Sequence, residues 1–138
     1  MARSGMGIKP TVPLDQCVER SDFVVIAEIK SKEVIEKPRK DIDGNWLPMN
    51  QRVSANLKDI LKNDLEKDIQ KDIQFDCGPL TFEEGKSYIL FLKNKDIGVF
   101  DEFEKKRVAR FDFIPPPARL VEATRNNVSK IKKIIAKQ

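Results

Sequence analysis

The apolar residues of this chain come in short runs separated by turn residues. The longest uninterrupted runs hold only about five residues, as at Phe23–Ala27, and they are rich in β-branched and aromatic side chains. Such runs are typical of β-strands, whereas a helix that crosses a bilayer needs about 20 apolar residues in succession. The sequence therefore predicts a mainly β chain without a transmembrane segment.

Alternation of apolar and polar residues identifies the individual strands. The segment at 53–61 is ambiguous, because Val53, Leu57 and Leu61 also follow a helical period. A helix over 53–68 therefore competes with a strand there. The other predicted strands cover 23–29, 73–77, 88–92, 98–100 and 107–113.

Two segments carry helix signals. A short helix is predicted over 13–20, with Pro13 in the first turn, where its missing N–H is tolerated. After the three prolines at 115–117, an apolar stripe with helical spacing predicts a C-terminal helix over 118–137. The many lysines of that helix allow it to lie on an anionic membrane, but packing of its stripe on the strands is the simpler interpretation.

About five short strands spaced by turns, with a helix at each end, define the predicted architecture. It is a mainly β fold: a five-stranded OB-fold-like barrel with a short N-terminal helix and a C-terminal helix. Residues 1–12 contain Gly, Ser and Pro without periodicity, so they are predicted to form a loose N-terminal arm. Residues 13–138 are predicted to form a single domain, as the length of 138 residues suggests.

The chain has no histidine, and this absence removes many kinds of active site. Imidazole general bases, Ser-His-Asp systems and Cys-His nucleophiles all need that side chain. Two cysteines are too few for an all-cysteine zinc site, and no glycine-rich phosphate loop is present. We therefore expect a protein that is not an enzyme and has no catalytic residues, metal site or cofactor.

The charges are numerous but mixed. There are 26 Lys and Arg residues against 22 Asp and Glu, which gives a net charge of +4. Nucleic-acid-binding proteins usually cluster their basic residues on one face, whereas here acidic and basic residues alternate through most of the chain. The charge pattern thus makes nucleic acid an unexpected partner.

The segment at 37–48 contains two prolines, an Asp-Gly pair and the only tryptophan, and it is predicted to be a hairpin-like loop. Residues 37–52 and 94–105 supply the candidate contact surface, and its named residues are Arg39, Lys40, Trp46 and Arg52. Basic residues beside an aromatic ring are also how OB barrels hold single-stranded nucleic acid, which provides the alternative function.

Cys17 and Cys77 are the only cysteines. The sequence alone is compatible with a disulfide between them, with two reduced thiols, or with a bridge to another chain. Intracellular chains favour buried thiols and secreted chains favour bridges, so the state of these two residues bears on the compartment.

Three stretches resemble the tissue inhibitors of metalloproteinases and the wider netrin-like module, which has an OB fold. Cys17–Ile29 is similar to that family's cysteine beside a short helix, followed by a Ser-Asp step into a long strand. Val53–Asn63 resembles a family strand that ends in a lysine-containing turn, which favours a strand over a helix there. Cys77–Leu90 has the family's Cys-Gly, a variable turn, a Gly-Lys pair and a Tyr-Leu type of strand.

The resemblance implies the module but not the inhibitory mechanism. The inhibitors chelate the zinc of their protease through an N-terminal Cys-x-Cys, and this sequence has no cysteine before Cys17. The family partners of Cys17 and Cys77 are also missing, so the resemblance implies no bridge between them. The chain is more similar to bacterial secreted proteins with this module than to the animal inhibitors.

These observations lead to one expected function and one alternative. We expect a non-enzymatic extracytoplasmic interaction module that binds another protein or an envelope component through the loops of its barrel. Residues 1–7 have no apolar core of a signal peptide, so a secreted or periplasmic location assumes a signal absent from this chain. The alternative is a cytoplasmic OB domain that binds single-stranded nucleic acid.

Overall fold

The computed structural model describes residues 13–64, 70–102, 105–117 and 119–138. The predicted loose arm at 1–12 lies outside these residues. In chain order, the elements are α1 (Leu14–Arg20), β1 (Phe23–Glu36), β2 (Arg39–Lys40), β3 (Trp46–Leu47), β4 (Asn50–Asn63), β5 (Asp72–Cys77), β6 (Ser87–Asp101), β7 (Lys106–Phe113), β8 (Val121–Glu122) and α2 (Arg125–Ala136).

Five strands pair with one another in a ring. β1 pairs with β4, β4 with β5, β7 with β6, and β6 again with β1, all in antiparallel orientation. The remaining pair, β5 with β7, is parallel, and it places Phe75 opposite Phe111. The short strand β8 pairs with β6 outside this set. The prediction of a mainly β chain with five principal strands and two helices is therefore confirmed.

Alternate side chains of the ring strands form one apolar core. On β1 these are Phe23, Val25, Ala27 and Ile29, and the ring of Phe23 stacks on that of Phe111 with centroids 5.2 Å apart. This period of two follows from the pleat of a strand, which sends successive side chains to opposite faces. The other strands contribute Val53, Ala55, Ile73, Phe75, Cys77, Tyr88, Leu90, Leu92 and Ala109.

The opposite faces of β1 and β6 are buried as well, beneath the two helices. The residues of this second cluster are Cys17, Val18, Val24, Ile89, Phe91 and Ile131. Because β1 and β6 have apolar neighbours on both faces, they read in the sequence as unbroken apolar runs rather than as alternating strands.

The structure decides the ambiguity at 53–61 in favour of a strand. β4 lies between β1 and β5, and its residues Val53 and Ala55 are buried while their neighbours are more exposed. The predicted segments at 88–92 and 98–100 belong to one strand, β6. That strand changes partner midway, since Leu92 is the last residue to pair with β1 and the first to pair with β7.

The predicted C-terminal helix over 118–137 is wrong at its beginning, because α2 begins only at Arg125. Val121, which fits the helical stripe, instead lies in β8 opposite Ile89. Thr124 ends the extended segment and caps the helix, and its Oγ1 accepts a hydrogen bond of 3.2 Å from the N–H of Asn127. A side-chain cap of this kind fixes the first turn of a helix.

Candidate functional site

A small hairpin at residues 37–49 extends from the ring, and we call it the 37–49 hairpin. β1 leaves β6 after Glu28 but continues beside β4 to Glu36, which lies opposite Asn50. Beyond that pair, β2 and β3 form a two-stranded sheet of their own, with Arg39 opposite Leu47. The predicted hairpin-like loop thus contains a second sheet, carried on the extended ends of two ring strands.

Backbone hydrogen bonds and one aspartate give the 37–49 hairpin a defined turn. The carboxylate of Asp41 accepts hydrogen bonds of 2.9 Å from the N–H groups of Asp43 and Asn45. The N–H of Asp41 donates to the carbonyl of Asn45, and Gly44 has a φ of +83°, a conformation that glycine adopts without steric cost. This turn presents its side chains in a fixed arrangement.

Two large apolar side chains of the 37–49 hairpin are exposed. Trp46 is 68% exposed, and Ile42 at the turn is fully exposed. The ammonium group of Lys40, directly opposite Trp46, lies 5.2 Å from the centroid of its indole ring. A cation at that distance is attracted to the face of the ring, which holds Lys40 and Trp46 together.

A polar cluster supports the base of the hairpin. The carboxylate of Glu36 accepts a hydrogen bond of 2.7 Å from the Arg39 guanidinium and one of 3.3 Å from the Asn50 amide. The hydrogen bond from Arg39, followed by that from Asn50, lowers the pKa of Glu36 below its ordinary value. Arg39 is therefore paired with Glu36, the residue that joins the end of β1 to the beginning of β4 through Asn50.

The structure separates Arg52 from the other three predicted contact residues. The guanidinium of Arg52 makes two hydrogen bonds to the carboxylate of Asp76, at 2.8 and 3.1 Å, across the pairing of β4 with β5. A bidentate pair of this kind fixes the guanidinium within the sheet. The sequence predicted four residues of one surface, and the structure places two of them, Lys40 and Trp46, side by side. Arg39 is the neighbour of Lys40 along β2, so its side chain lies on the opposite face of the small sheet.

The outward face of β4, β5 and β7 is polar and paired within the fold. The buried amide of Gln74 donates to the Ser54 hydroxyl at 3.3 Å, and its oxygen accepts from Arg110 at 3.2 Å. Gln74 thus joins all three strands of this face through its side chain. The contacts of this face are already made with the protein's own groups.

Asp72 lies at one end of the same face, between two lysines. Its oxygens lie 3.2 Å from the Lys30 ammonium and 3.0 Å from that of Lys106. Burial alone would raise the pKa of Asp72, but the hydrogen bonds from Lys106 and Lys30 outweigh that effect and lower it. The carboxylate is thus held ionised and contributes to the cohesion of the ring.

An open cleft of about 540 Å³ lies between the loop before β6 and the segment before α2. Tyr88, Arg119, Glu83 and Glu122 are among the residues that line it. The ammonium group of Lys86 pairs with the carboxylates of Glu122 and Glu83, and it lies 2.8 Å from that of Glu83. These hydrogen bonds raise the pKa of Lys86. The pKa of Glu83 is lowered by Lys86 in turn, so the carboxylate stays ionised at neutral pH rather than serving as a general acid.

Both cysteines are buried thiols, and they belong to different clusters. Cys17 lies under the helices, where its Sγ is 3.8 Å from the Pro115 carbonyl, whereas Cys77 lies in the core of the ring. Burial raises the pKa of Cys17, and it raises that of Cys77 to about 11 against a smaller opposing effect of Gln51. Of the states that the sequence left open, the structure contains the two thiols.

One residue of the candidate surface was missed in the sequence. Ile42 stands alone between two aspartates in a turn, so no periodicity marks it, and its full exposure follows from the turn at Asp41. The available signal was an isolated β-branched residue in a polar turn beside the only tryptophan.

No protein-family model matches the sequence, and no curated protein matches it. Within the described ranges, no three Cys, Asp or Glu side chains are grouped as a metal ion would require. Neither α1 nor α2 has the length and apolar character needed to cross a membrane.

Proposed function

We propose that this protein is a non-enzymatic extracytoplasmic interaction module, which binds another protein or an envelope component through the 37–49 hairpin. The observation that carries the proposal is the exposure of Trp46 in β3 and of Ile42 in the adjoining turn, whose backbone is defined by the hydrogen bonds of Asp41. Tryptophan is among the residues that dominate binding energies when a partner buries them.

The order of the hairpin supports this role. A flexible loop loses conformational freedom when it binds, and that loss reduces its affinity. Here Asp41 fixes the turn, and Lys40 restrains the indole of Trp46 from one face, so less freedom remains to be lost. The basic Lys40 beside the ring suits a partner with an acidic or carbonyl-rich surface around an apolar pocket.

The ring supports a relation to the OB fold. Taking its five strands in chain order, the first pairs with the second and the fourth, the second with the third, and the third and fourth with the fifth. A single parallel pair, β5 with β7, closes this arrangement. We propose that the ring is an OB-type Greek-key barrel and that the chain is a netrin-like module, as its resemblance to that family implies.

Reduced cysteines are compatible with an oxidising compartment in this fold. The thiolate is the form that reacts, and burial raises the pKa of both Cys17 and Cys77. In addition, the two thiols lie in different clusters, so bridging them would require the core to rearrange. Both residues therefore resist oxidation while the protein is folded.

A crosslinking experiment tests the proposed surface. A photoreactive phenylalanine analogue replaces Trp46, and the full-length protein is irradiated with the envelope fraction of the cells that produce it. We expect a discrete covalent adduct with an envelope component, because this position would be buried by the partner. Adding Ile42→Ser should abolish the adduct, since that side chain lies on the same turn.

The matched control places the same analogue at Glu84, an exposed residue in a turn of the ring outside the hairpin. This variant should give no discrete adduct. Equal adducts at both positions, or none at position 46, would contradict the proposal.

The nucleic-acid alternative has its own readout. Lys40 over Trp46 is the arrangement that favours it, whereas the paired face of β4 and β5 leaves little for bases to contact. Because Trp46 is the only tryptophan, its fluorescence reports directly on the hairpin. Quenching by a single-stranded oligonucleotide that weakens steeply with salt would favour the alternative, and unchanged fluorescence at low salt would exclude it.

A further inference from the structure

The cations of α2 and its C-cap form an exposed array without acidic residues. No Asp or Glu occurs anywhere in 123–138. The exposed cations of this segment are Arg125, Lys130, Lys132, Lys133 and Lys137. With 3.6 residues per turn, they occupy roughly half of the helix circumference along about 18 Å of its length. We call this array the α2 basic face.

None of these five cations makes an ion pair with a residue that the structure describes. Several lysines and arginines of the strands behave differently, because Lys30, Arg52 and Lys106 pair with carboxylates of the fold. The charge of the α2 basic face is therefore not balanced by the described part of the protein.

Helix stability explains only part of this pattern of charges, since Lys133 in the last turn suits the negative end of the helix dipole. Arg125 stands in the first turn, where the helix dipole favours an acidic residue, and no acidic residue occupies that turn. Lys133 follows Lys130 by three residues and precedes Lys137 by four, so these like charges are neighbours on the helix surface. Helix stability therefore accounts for a cation in the last turn, but not for Arg125 or for lysines placed as neighbours on the helix surface.

The apolar side of α2 packs against the rest of the protein. Ile131 is completely buried against α1 and β6, and Val128, Ile134 and Ile135 pack around the same cluster. The helix therefore cannot turn an apolar face into a bilayer. Any binding through α2 is electrostatic and takes place at a surface.

We propose that the α2 basic face is a peripheral docking site for an anionic lipid surface. Four of its five cations are lysines, whose ammonium groups act as point charges rather than as planar forks for one bound phosphate. Two shallow depressions, of about 640 and 400 Å³, flank Lys133 and open to solvent. A row of point charges along one side of a helix matches a plane of anionic headgroups.

Two other kinds of partner fit the face less well. A protein interface needs a central apolar or aromatic anchor, and the exposed side of α2 offers only Ala136. Single-stranded nucleic acid needs aromatic rings for base stacking, and the single exposed tryptophan lies on the 37–49 hairpin. This inference rests on α2 alone and does not depend on the proposed function of the hairpin.

Flotation with lipid vesicles tests the proposal on the full-length chain. We expect binding to vesicles in which a third of the phosphatidylcholine is replaced by phosphatidylglycerol, and none to pure phosphatidylcholine. Raising the ionic strength should release the protein, because binding without insertion is screened by salt. A triple variant carries Lys130→Gln, Lys132→Gln and Lys133→Gln. Its partition coefficient should fall on the order of a hundredfold, at roughly fivefold for each lysine near an anionic surface.

The matched control removes three charges from exposed lysines elsewhere. It carries Lys32→Gln, Lys71→Gln and Lys93→Gln, so its net charge changes by the same amount. We expect it to bind nearly as the unmodified protein does, and Trp46→Ala should also leave vesicle binding unchanged. Circular dichroism of each variant verifies that α2 is formed.

Absence of binding to the anionic vesicles at low salt would overturn the proposal, and so would an equal loss of binding in the two triple variants. Binding to a DNA oligonucleotide in preference to the vesicles at the same ionic strength would overturn it as well. Loss of vesicle binding in Trp46→Ala alone would assign the membrane contact to the hairpin and would overturn the role of α2.

Discussion

The cations of the ring strands and the cations of α2 have opposite environments. Lys62 is nearly buried, donates a hydrogen bond of 2.8 Å to the Val18 carbonyl and pairs with Asp64. Lys30 and Lys106 converge on Asp72 in the same way. The cations of the α2 basic face have no such partner among the described residues. These paired strand charges thus serve the fold, whereas Lys32 and Lys93 on the strands and the charges on α2 are exposed.

The aromatic residues divide along a similar line. Phe75 packs in the core with its ring stacked on Phe113 at 4.9 Å and edge-on to Phe82 at 5.5 Å. Trp46 has a single cation over one face and is otherwise exposed. Aromatic side chains therefore stabilise the ring in one region, whereas on the hairpin the aromatic ring is exposed to solvent.

The largest expected effect compares these two aromatic sites. Phe75→Ala should lower the free energy of unfolding by about 3–5 kcal/mol, because it leaves a cavity among stacked rings. Trp46→Ala should change it by no more than about 1 kcal/mol, the value of an exposed cation–π contact. Urea unfolding followed by circular dichroism measures both. If both variants lost a similar amount of unfolding free energy, Trp46 would contribute to the cooperative core as Phe75 does. The two aromatic sites would then not differ.

The second prediction concerns a charge that serves the fold. Asp72→Asn should lower the free energy of unfolding by about 1 kcal/mol at pH 7, because Lys30 and Lys106 lose their common anion. The pKa of Asp72 is lowered in the fold, so its contribution is present above its ordinary value of 3.8 and is lost as the pH falls through the lower value.

This sign gives the experiment its pH dependence. The difference in unfolding free energy between the unmodified protein and Asp72→Asn should be largest at neutral pH and should shrink as the pH falls below about 4. Asp43→Asn, at an exposed carboxylate of the 37–49 hairpin, is the matched control and should show little difference at either pH. A difference for Asp72→Asn that grows on acidification would contradict the assignment.

The alternation of apolar residues made much of the ring predictable. Strands at 73–77 and 107–113 follow from it because each has one buried face, and Val53 and Ala55 mark β4 in the same way. The continuity of β6 could not be predicted, since it depends on a change of partner at Leu92 between two distant strands. Local patterns contain no information about such exchanges.

The position of the hairpin in the sequence was predictable, but the set of residues exposed on it was not. A tryptophan in a segment rich in turn residues indicated the hairpin. The pairing of Arg52 with Asp76 could be predicted only from the register of β4 on β5. The exposure of Ile42 could be predicted only from the geometry of the turn at Asp41. The start of α2 depends on the pairing of Val121 with Ile89, which removes that residue from an otherwise regular helical stripe.

The smallest expected change in the free energy of unfolding has the opposite sign to that of Asp72→Asn. It tests most directly whether the cations of α2 differ from those of the strands. Arg125→Glu should raise the free energy of unfolding by about 0.3–1 kcal/mol, because it replaces a cation in the first turn of α2 with the charge that the helix dipole favours. Arg125→Gln is the matched control and should give a smaller gain, since it removes the unfavourable charge without adding a favourable one. Urea unfolding at low ionic strength, where the dipole effect is least screened, measures both variants. If Arg125→Glu destabilised the protein instead, Arg125 would have a partner within the fold. The cations of α2 would then serve the structure as those of the strands do.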